Sequence, residues 1–230
     1  MKITLDPAVA ARFPEARIAV LTASGVDSTV PWPGLDKAVA AMEDSLADES
    51  WTPYSEQDAP IASWHEAYRE FGVNPRRLRP SVDALSRRLA KSGRLPRVHP
   101  AVDAYNLASV ASGCPAGAFD LKALGDAEVS VRFAAGTESF TPLGEPEKAE
   151  NPKPGEAVYA SGEQVLTRAW NHRDCDRTKV TENSTDVVFL LERISASAVD
   201  DAALSRAAEG LADSLRENGA TVRLDFVSAT

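Results

Sequence analysis

Apolar residues recur at helical spacing through most of the first half of the chain and at alternate positions through much of the second. Leu35, Val39, Met42 and Leu46 are three and four residues apart in "GLDKAVAAMEDSLADE", the stripe of an amphipathic helix. "PIASWHEAYREFGV" puts Ile61, Trp64, Tyr68 and Phe71 on one face, with Gly72 as a C-terminal stop. In "RPSVDALSRRLAKSG", Pro80 and Ser81 open a helix, Val82, Leu85 and Leu89 form its stripe, and Gly93 closes it. A fourth helix is expected from about Pro100 to Ser112, ended by Gly113, and a fifth over "VDDAALSRAAEGLADSLRENG".

Strand signals bracket these helices. "ARIAVLTAS", Ala16 to Ser24, is an apolar run that stops at Gly25. "EVSVRFAA" alternates Val129, Val131 and Phe133, as a half-buried strand does. "AVYAS" and "VLTRAW" flank the turn signal "SGEQ" and predict a hairpin. "DVVFLLERI" has the near-continuous apolar character of a central strand, and "ATVRLDFV" predicts a last one. "TPLGEPEKAENPKPGE", rich in Pro, Gly and charge, is a long loop. Helices cluster early and strands late, which predicts an α+β fold rather than regular βαβ units.

With 230 residues, 43% hydrophobic and 26% charged, the chain has the composition of a globular protein with a substantial core. No apolar run is long enough to cross a membrane. The first twenty residues carry charges throughout and lack a signal-peptide core, so a cytoplasmic location is expected. Cys114 and Cys175 are then expected as reduced thiols.

The net charge of −9 opposes non-specific nucleic-acid binding. The charge is nonetheless polarised. Arg76, Arg77, Arg79, Arg87, Arg88, Lys91, Arg94 and Arg97 fall in a stretch that holds few acids, while acids concentrate at 36–56, 138–156 and 200–217. Such a patch could dock a phosphate backbone, or be a solvated face whose arginines pair with nearby acids.

Familiar catalytic motifs are absent. There is no G-x-S-x-G elbow, no P-loop and no G-x-G-x-x-G after a strand. His65, His99 and His172 lack metal-ligand spacing, so no metal or other cofactor is expected. His65 is expected at the edge of its helix stripe in a structural role, and His99 as a helix cap. Cys175, between Arg173 and Arg177, has neighbours that favour a thiolate but no evident partner base.

The segment "WNHRDCDRTKVTENS" stands out because it sets mixed charge directly against a core strand. It offers donors (Asn171, Arg173, Arg177, Lys179), acceptors (Asp174, Asp176, Glu182) and the hydroxyls of Thr178 and Thr181. Such a set suits a ligand carrying both an ammonium and an anionic or ester group. It equally suits a self-neutralising loop in which Arg173 pairs with Asp176 and Arg177 with Glu182.

An ordered series of motifs resembles a known family. "LPRVHPAVDAYNLASVASGCPAGAFDL", with Pro96-Arg97, Val102-Asp103, Tyr105-Asn106 and Asp120, is followed by Trp170-Asn171 and "RTKVTENST" over Arg177–Thr185. Together these resemble the freestanding B3/B4-domain proteins, relatives of the B3/B4 region in the β subunit of bacterial phenylalanyl-tRNA synthetase. "WHEAYREFGVNPRRLRPSVDALSRRL" fits the family's helical lead-in, so the resemblance runs from Trp64 to Glu192. It implies one B3/B4-like domain over 1–230, with a core at 64–192 and extensions at 1–60 and 195–230. The helices would pack on a mostly antiparallel or mixed sheet.

In the synthetase that region hydrolyses tyrosine wrongly esterified to the phenylalanine tRNA. The resemblance therefore implies a trans-acting aminoacyl-tRNA deacylase, or alternatively a non-catalytic module that binds tRNA or a free amino acid. No synthetase catalytic module is present, so ligation is not expected. The ester is labile, and positioned water could suffice without a covalent nucleophile. Asp174 or Asp176 would take the α-amino group. Arg173, Arg177 or Lys179 would meet the terminal phosphate or the oxyanion, and Asn106 and Asn171 would orient water or ribose. Thr178 and Glu182 would complete the substrate contacts, and the basic stretch Arg76–Arg97 would take the acceptor stem. The chain departs from the synthetase in one place: it has "NHRDC" where a glycine-rich run precedes the pocket acid.

Overall fold

The computed structural model describes residues 2–229. The strands are β1 (Lys2–Leu5), β2 (Arg17–Ser24), β3 (Ala116–Asp120), β4 (Glu128–Phe133), β5 (Ala157–Ser161), β6 (Gln164–Arg168), β7 (Arg173–Asp174), β8 (Asp186–Arg193) and β9 (Thr221–Ser228). The helices are α1 (Pro7–Arg12), α2 (Pro33–Ala47), α3 (Ala59–Glu70), α4 (Ser81–Ser92), α5 (Pro100–Ser112), α6 (Leu121–Leu124) and α7 (Asp201–Glu217).

The fold is α+β, built on two sheets rather than the one expected. A five-stranded mixed sheet has the order β1-β4-β5-β6-β7, with β1 parallel to β4 and the other pairs antiparallel. A four-stranded antiparallel sheet has the order β3-β8-β2-β9. The strand at Ala16–Ser24 is thus no appendage. It lies inside the second sheet between β8 and β9.

Strand alternation explains the layering. Ile18 and Val20 of β2, Val188 and Leu190 of β8, and Phe119 of β3 share a core with Val129, Val131, Val158 and Leu166 of the first sheet. The intervening residues, Ala19, Leu21, Val187, Phe189 and Leu191, face a second core with Leu35, Leu89, Val110, Leu204 and Leu211 of the helices. Strand β8 is apolar on both faces because both faces are covered. Two buried charged residues at its end break this pattern: Arg193, paired with Asp201, and Glu192. Glu192 is two positions beyond Leu190, on the face turned to the inter-sheet core, and is 3% exposed.

Helix ends match their sequence signals. Gly93 and Gly113 adopt left-handed conformations at the C-termini of α4 and α5. A Cβ on Gly113 would come within 2.7 Å of the Pro60 side chain, so this position also needs glycine for space. His99 is the N-cap of α5 by position, but its side chain makes no capping bond. Its Nε2 instead meets the Val180 carbonyl at 3.3 Å.

Candidate functional site

The site is set where the two sheets meet. Strand β6 ends at Arg168, and Ala169 and Trp170 both take positive φ, at 45° and 64°. Each such residue costs about 1–2 kcal/mol for a side chain with a Cβ. The surroundings hold the turn in place. Arg168 grips buried Glu156 with two bonds of 2.9 and 2.8 Å, and the Glu156 carboxylate accepts the Ala169 N–H at 3.0 Å. Trp170 is fully buried, edge-on to Trp64 and Phe13. This turn aims Asn171 inward. Its Nδ2 donates to Glu192 at 2.8 Å, and its Oδ1 accepts from the Tyr68 hydroxyl at 2.8 Å.

A small cavity of about 50 Å³ opens beside this turn. Its walls include Gly117, Phe119, Tyr159, Thr167, Trp170, Asn171, Asp174, Leu190 and Glu192. Two carboxyls lie here. Glu192 accepts hydrogen bonds from the Tyr159 hydroxyl and from Asn171, and Asp174 accepts from Thr167 Oγ1 at 2.6 Å. No Lys or Arg forms an ion pair with either, among the described residues. Burial therefore dominates, pushing Asp174 up to about 6 against the Thr167 bond. Burial also pushes Glu192 up to about 7, opposed by its bonds from Tyr159 and Asn171 and reinforced by the nearby charge of Asp174.

Polar capacity remains unused. Only Oδ1 of Asp174 is hydrogen-bonded among the described residues, which leaves Oδ2 open to the pocket. Buried Ser81 Oγ has no partner, and buried Trp170 Nε1 faces Glu192 and Tyr159 without a well-formed bond. His172 lines the pocket too. Its Nδ1 meets the Arg79 carbonyl at 2.8 Å, and a carbonyl can only accept, so the proton sits on Nδ1. Burial lowers the His172 pKa, which favours the neutral ring with a lone pair on Nε2.

The charged segment divides in two. Asn171 and Asp174 enter the pocket. Asp176 turns outward, where the Gly144 N–H at 3.0 Å and Lys179 at 2.9 Å hold its carboxyl below the usual range. The guanidinium of Arg173 pairs with Glu145 at 2.7 Å and donates to the Leu143 carbonyl at 2.7 Å. Arg177 reaches the Ala123 carbonyl at 3.3 Å, and Glu182 is exposed. Thr178 is buried against Cys175 Sγ at 3.2 Å. Cys175 is itself fully buried, packed in the core between the sheets. Asn106 is half-buried on α5 and is not a pocket wall. Neither Arg173–Asp176 nor Arg177–Glu182 forms. The long loop before β5 supplies the partner for Arg173 instead.

These contacts fix an expected result. Asp176→Asn and Arg173→Ala break surface ion pairs and at most one exposed hydrogen bond to the 143–144 backbone, so each should shift unfolding stability by no more than about 1 kcal/mol. Urea melts of the two variants measure this.

The basic stretch is largely neutralised. Arg76 pairs with Glu56 at 3.3 Å, Arg87 with Glu56 at 2.9 Å and Asp83 at 2.7 Å, and Arg79 with Asp83 at 2.9 Å. Arg94 meets Glu43 at 3.7 Å, and Arg97 meets Asp36 and, at 2.7 Å, Asp103. Arg77, Arg88 and Lys91 are exposed and make no ion pair among the described residues. Asp83, with no exposed surface, binds Arg79, Arg87 and buried His65 together, which gives His65 its structural role. The segment anchored in this way reaches the site through the Arg79 carbonyl on His172 and the Ser81 N–H on the Asn171 carbonyl, at 2.9 Å.

Among the described residues, no three His, Cys, Asp or Glu side chains are grouped to hold a metal ion, and no helix is long and apolar enough to cross a membrane. The architecture is thus a two-sheet α+β domain with a small, acid-lined pocket at the sheet junction. The chain belongs to the B3/4 domain family, whose model matches residues 63–217. It is also similar to an N-terminal fragment of the phenylalanyl-tRNA synthetase β-subunit from Pyrococcus horikoshii, at 14% identity and a TM-score of 0.48. That match covers 96% of this chain and 50% of the fragment, so the chain spans about half the length of that structure. A search of curated proteins gives no match.

Proposed function

We propose that the protein hydrolyses the ester of an aminoacyl-tRNA in trans. The observation that carries this reading is Asp174: a carboxyl at the pocket, raised to about 6, with one oxygen free and no cation beside it. At neutral pH it is mostly ionised yet basic enough to take a proton, the condition for a general base. Asp174 would draw a proton from a water molecule. The water oxygen would bond to the ester carbonyl carbon, the bond to the ribose oxygen would break, and the proton would pass to that leaving oxygen. The His172 Nε2 lone pair would orient the water. Membership of the B3/4 family and the resemblance of its motifs to an editing region support aminoacyl-tRNA as the substrate class.

The test is a panel of tRNAs, each charged with one amino acid, incubated with the purified chain. Ester loss above the buffer rate for a subset of them is expected. Loss no faster than buffer for every member, from folded protein that still binds uncharged tRNA, would leave a binding module instead.

Arg77, Arg88 and Lys91 are the cations of the basic stretch available to phosphates. Replacing all three with alanine should flatten the plot of log affinity for tRNA against log salt by about two to three phosphate equivalents. An unchanged slope would place the acceptor stem elsewhere.

A further inference from the structure

We infer that the pocket selects an aminoacyl group with a very small side chain, no larger than the hydroxymethyl of serine. This rests on the deacylase reading and names its substrate class. The cavity measures about 50 Å³. A cavity that accepts a benzene ring measures about 150 Å³, and one water occupies roughly 10–15 Å³ on the same scale. With the attacking water in place, room for roughly two or three heavy atoms remains, enough for the side chain alone while the ester and amine stay at the pocket mouth.

The walls resist expansion. Phe119, Tyr159, Trp170 and Leu190 are each no more than 2% exposed. Phe119 and Tyr159 pack edge-to-face at 6.0 Å, and Trp170 is wedged between Trp64 and Phe13. Admitting an aromatic side chain would require displacing these rings from a close-packed core. The polar lining favours a hydroxyl. Thr167 Oγ1, whose own proton goes to Asp174 Oδ1, can accept from a substrate hydroxyl while Asp174 Oδ2 holds the water.

Gly117 gives the sharpest variant. A Cβ built there lies 3.8 Å from Asp174 Oδ2 and meets no backbone, so Gly117→Ala should fold normally while placing a methyl in the cavity. It is expected to lower kcat/KM for a seryl ester at least tenfold with an unchanged melting temperature. Leu190, the cross-strand partner of Gly117, belongs to the same wall, and Leu190→Ala enlarges the cavity there and should raise the valyl-to-seryl rate ratio about tenfold.

The experiment charges one acceptor-stem minihelix with alanine, serine, valine, phenylalanine or tyrosine and measures kcat/KM for each. Binding of the matching amide-linked 3′-aminoacylamino-adenosines, which cannot be hydrolysed, is measured in parallel. Alanyl and seryl esters should exceed phenylalanyl and tyrosyl esters by at least a hundredfold, with the same order in binding. Comparable rates for tyrosyl and seryl esters would overturn the size selection while leaving the deacylase reading intact. If no ester is hydrolysed, the deacylase reading fails, and the amide analogues still decide. Preferential binding of the small ones supports the inference, and equal or absent binding overturns it.

Discussion

Replacing Asp83 with alanine is expected to destabilise the protein by about 3 kcal/mol in a urea melt at pH 7. The side chain has no exposed surface and holds His65, Arg79 and Arg87 at 3.0, 2.9 and 2.7 Å. Removing it leaves the buried His65 imidazole and the Arg79 guanidinium without their partner and Arg87 with Glu56 alone, and opens a hole where a fully buried carboxylate sat. Burial alone would raise the Asp83 pKa, but the bonds from Arg87, Arg79 and His65 outweigh it and hold the carboxyl below its ordinary range. Its contribution is therefore present above the unfolded value and lost as the pH falls through the folded one. The same substitution should slow ester hydrolysis, because Arg79 and Ser81 bond directly to His172 and Asn171. Asp83→Asn keeps part of the bonding and should recover part of the loss. A cost below about 0.5 kcal/mol would show that the network does not brace the site.

Asp174→Asn is expected to have opposite effects on stability and on turnover. Asp174 rises from 3.8 to about 6 on folding, and Glu192 from 4.5 to about 7. Both are acids that keep their protons in the folded chain at pH values where the unfolded chain has lost them. The unfolded state thus binds fewer protons across roughly pH 4 to 7, and stability from these groups falls as the pH rises through that window. At pH 8 the ionised Asp174 costs roughly 2–3 kcal/mol. Asparagine can still accept from Thr167 and carries no charge. Asp174→Asn should therefore raise stability at pH 8 by about 1–2 kcal/mol and reduce the fall between pH 5 and 8. Turnover should drop by about a hundredfold or more, since the base is gone. Destabilisation at pH 8 would mean that Asp174 has an electrostatic partner that the geometry does not show.

Much of the fold was legible where one element buries one face. The stripes of Leu35, Val39 and Val82, Leu89 face the helical core, and the apolar run of "DVVFLLERI" is β8, paired on both sides. The division into two sheets was not legible. It depends on pairings between distant segments, such as Ile3 with Val129, which no local pattern encodes. Strand β3, "AGAFD", carries too little β-branched character to announce itself, and β7 is two residues long.

The site was half legible. Asn171 and Asp174 stood out by composition, but so did Asp176, and only tertiary packing separates them. The chain turns at Cys175, which is buried, and Asp176 is drawn outward by the Gly144 N–H. Glu192 gave one signal: a single carboxylate at a core-facing position of an otherwise apolar strand. Gly117, Thr167 and Tyr159 could not be assigned, because ordinary strand residues become pocket walls only once two sheets meet over them. The basic stretch misleads in the opposite way. Its cations lie close together in sequence, while the acids that pair with four of the eight, Glu43, Asp36 and Glu56, come from elsewhere.

The most direct measurement compares wild-type protein, Asp174→Asn and Asp176→Asn in single-turnover hydrolysis of the same seryl-tRNA at pH 7.5. The pocket account predicts that Asp176→Asn hydrolyses within twofold of wild type while Asp174→Asn falls by a hundredfold or more with its tRNA affinity retained. Full activity in Asp174→Asn, or a loss confined to Asp176→Asn, would move the chemistry to the outer loop and contradict it.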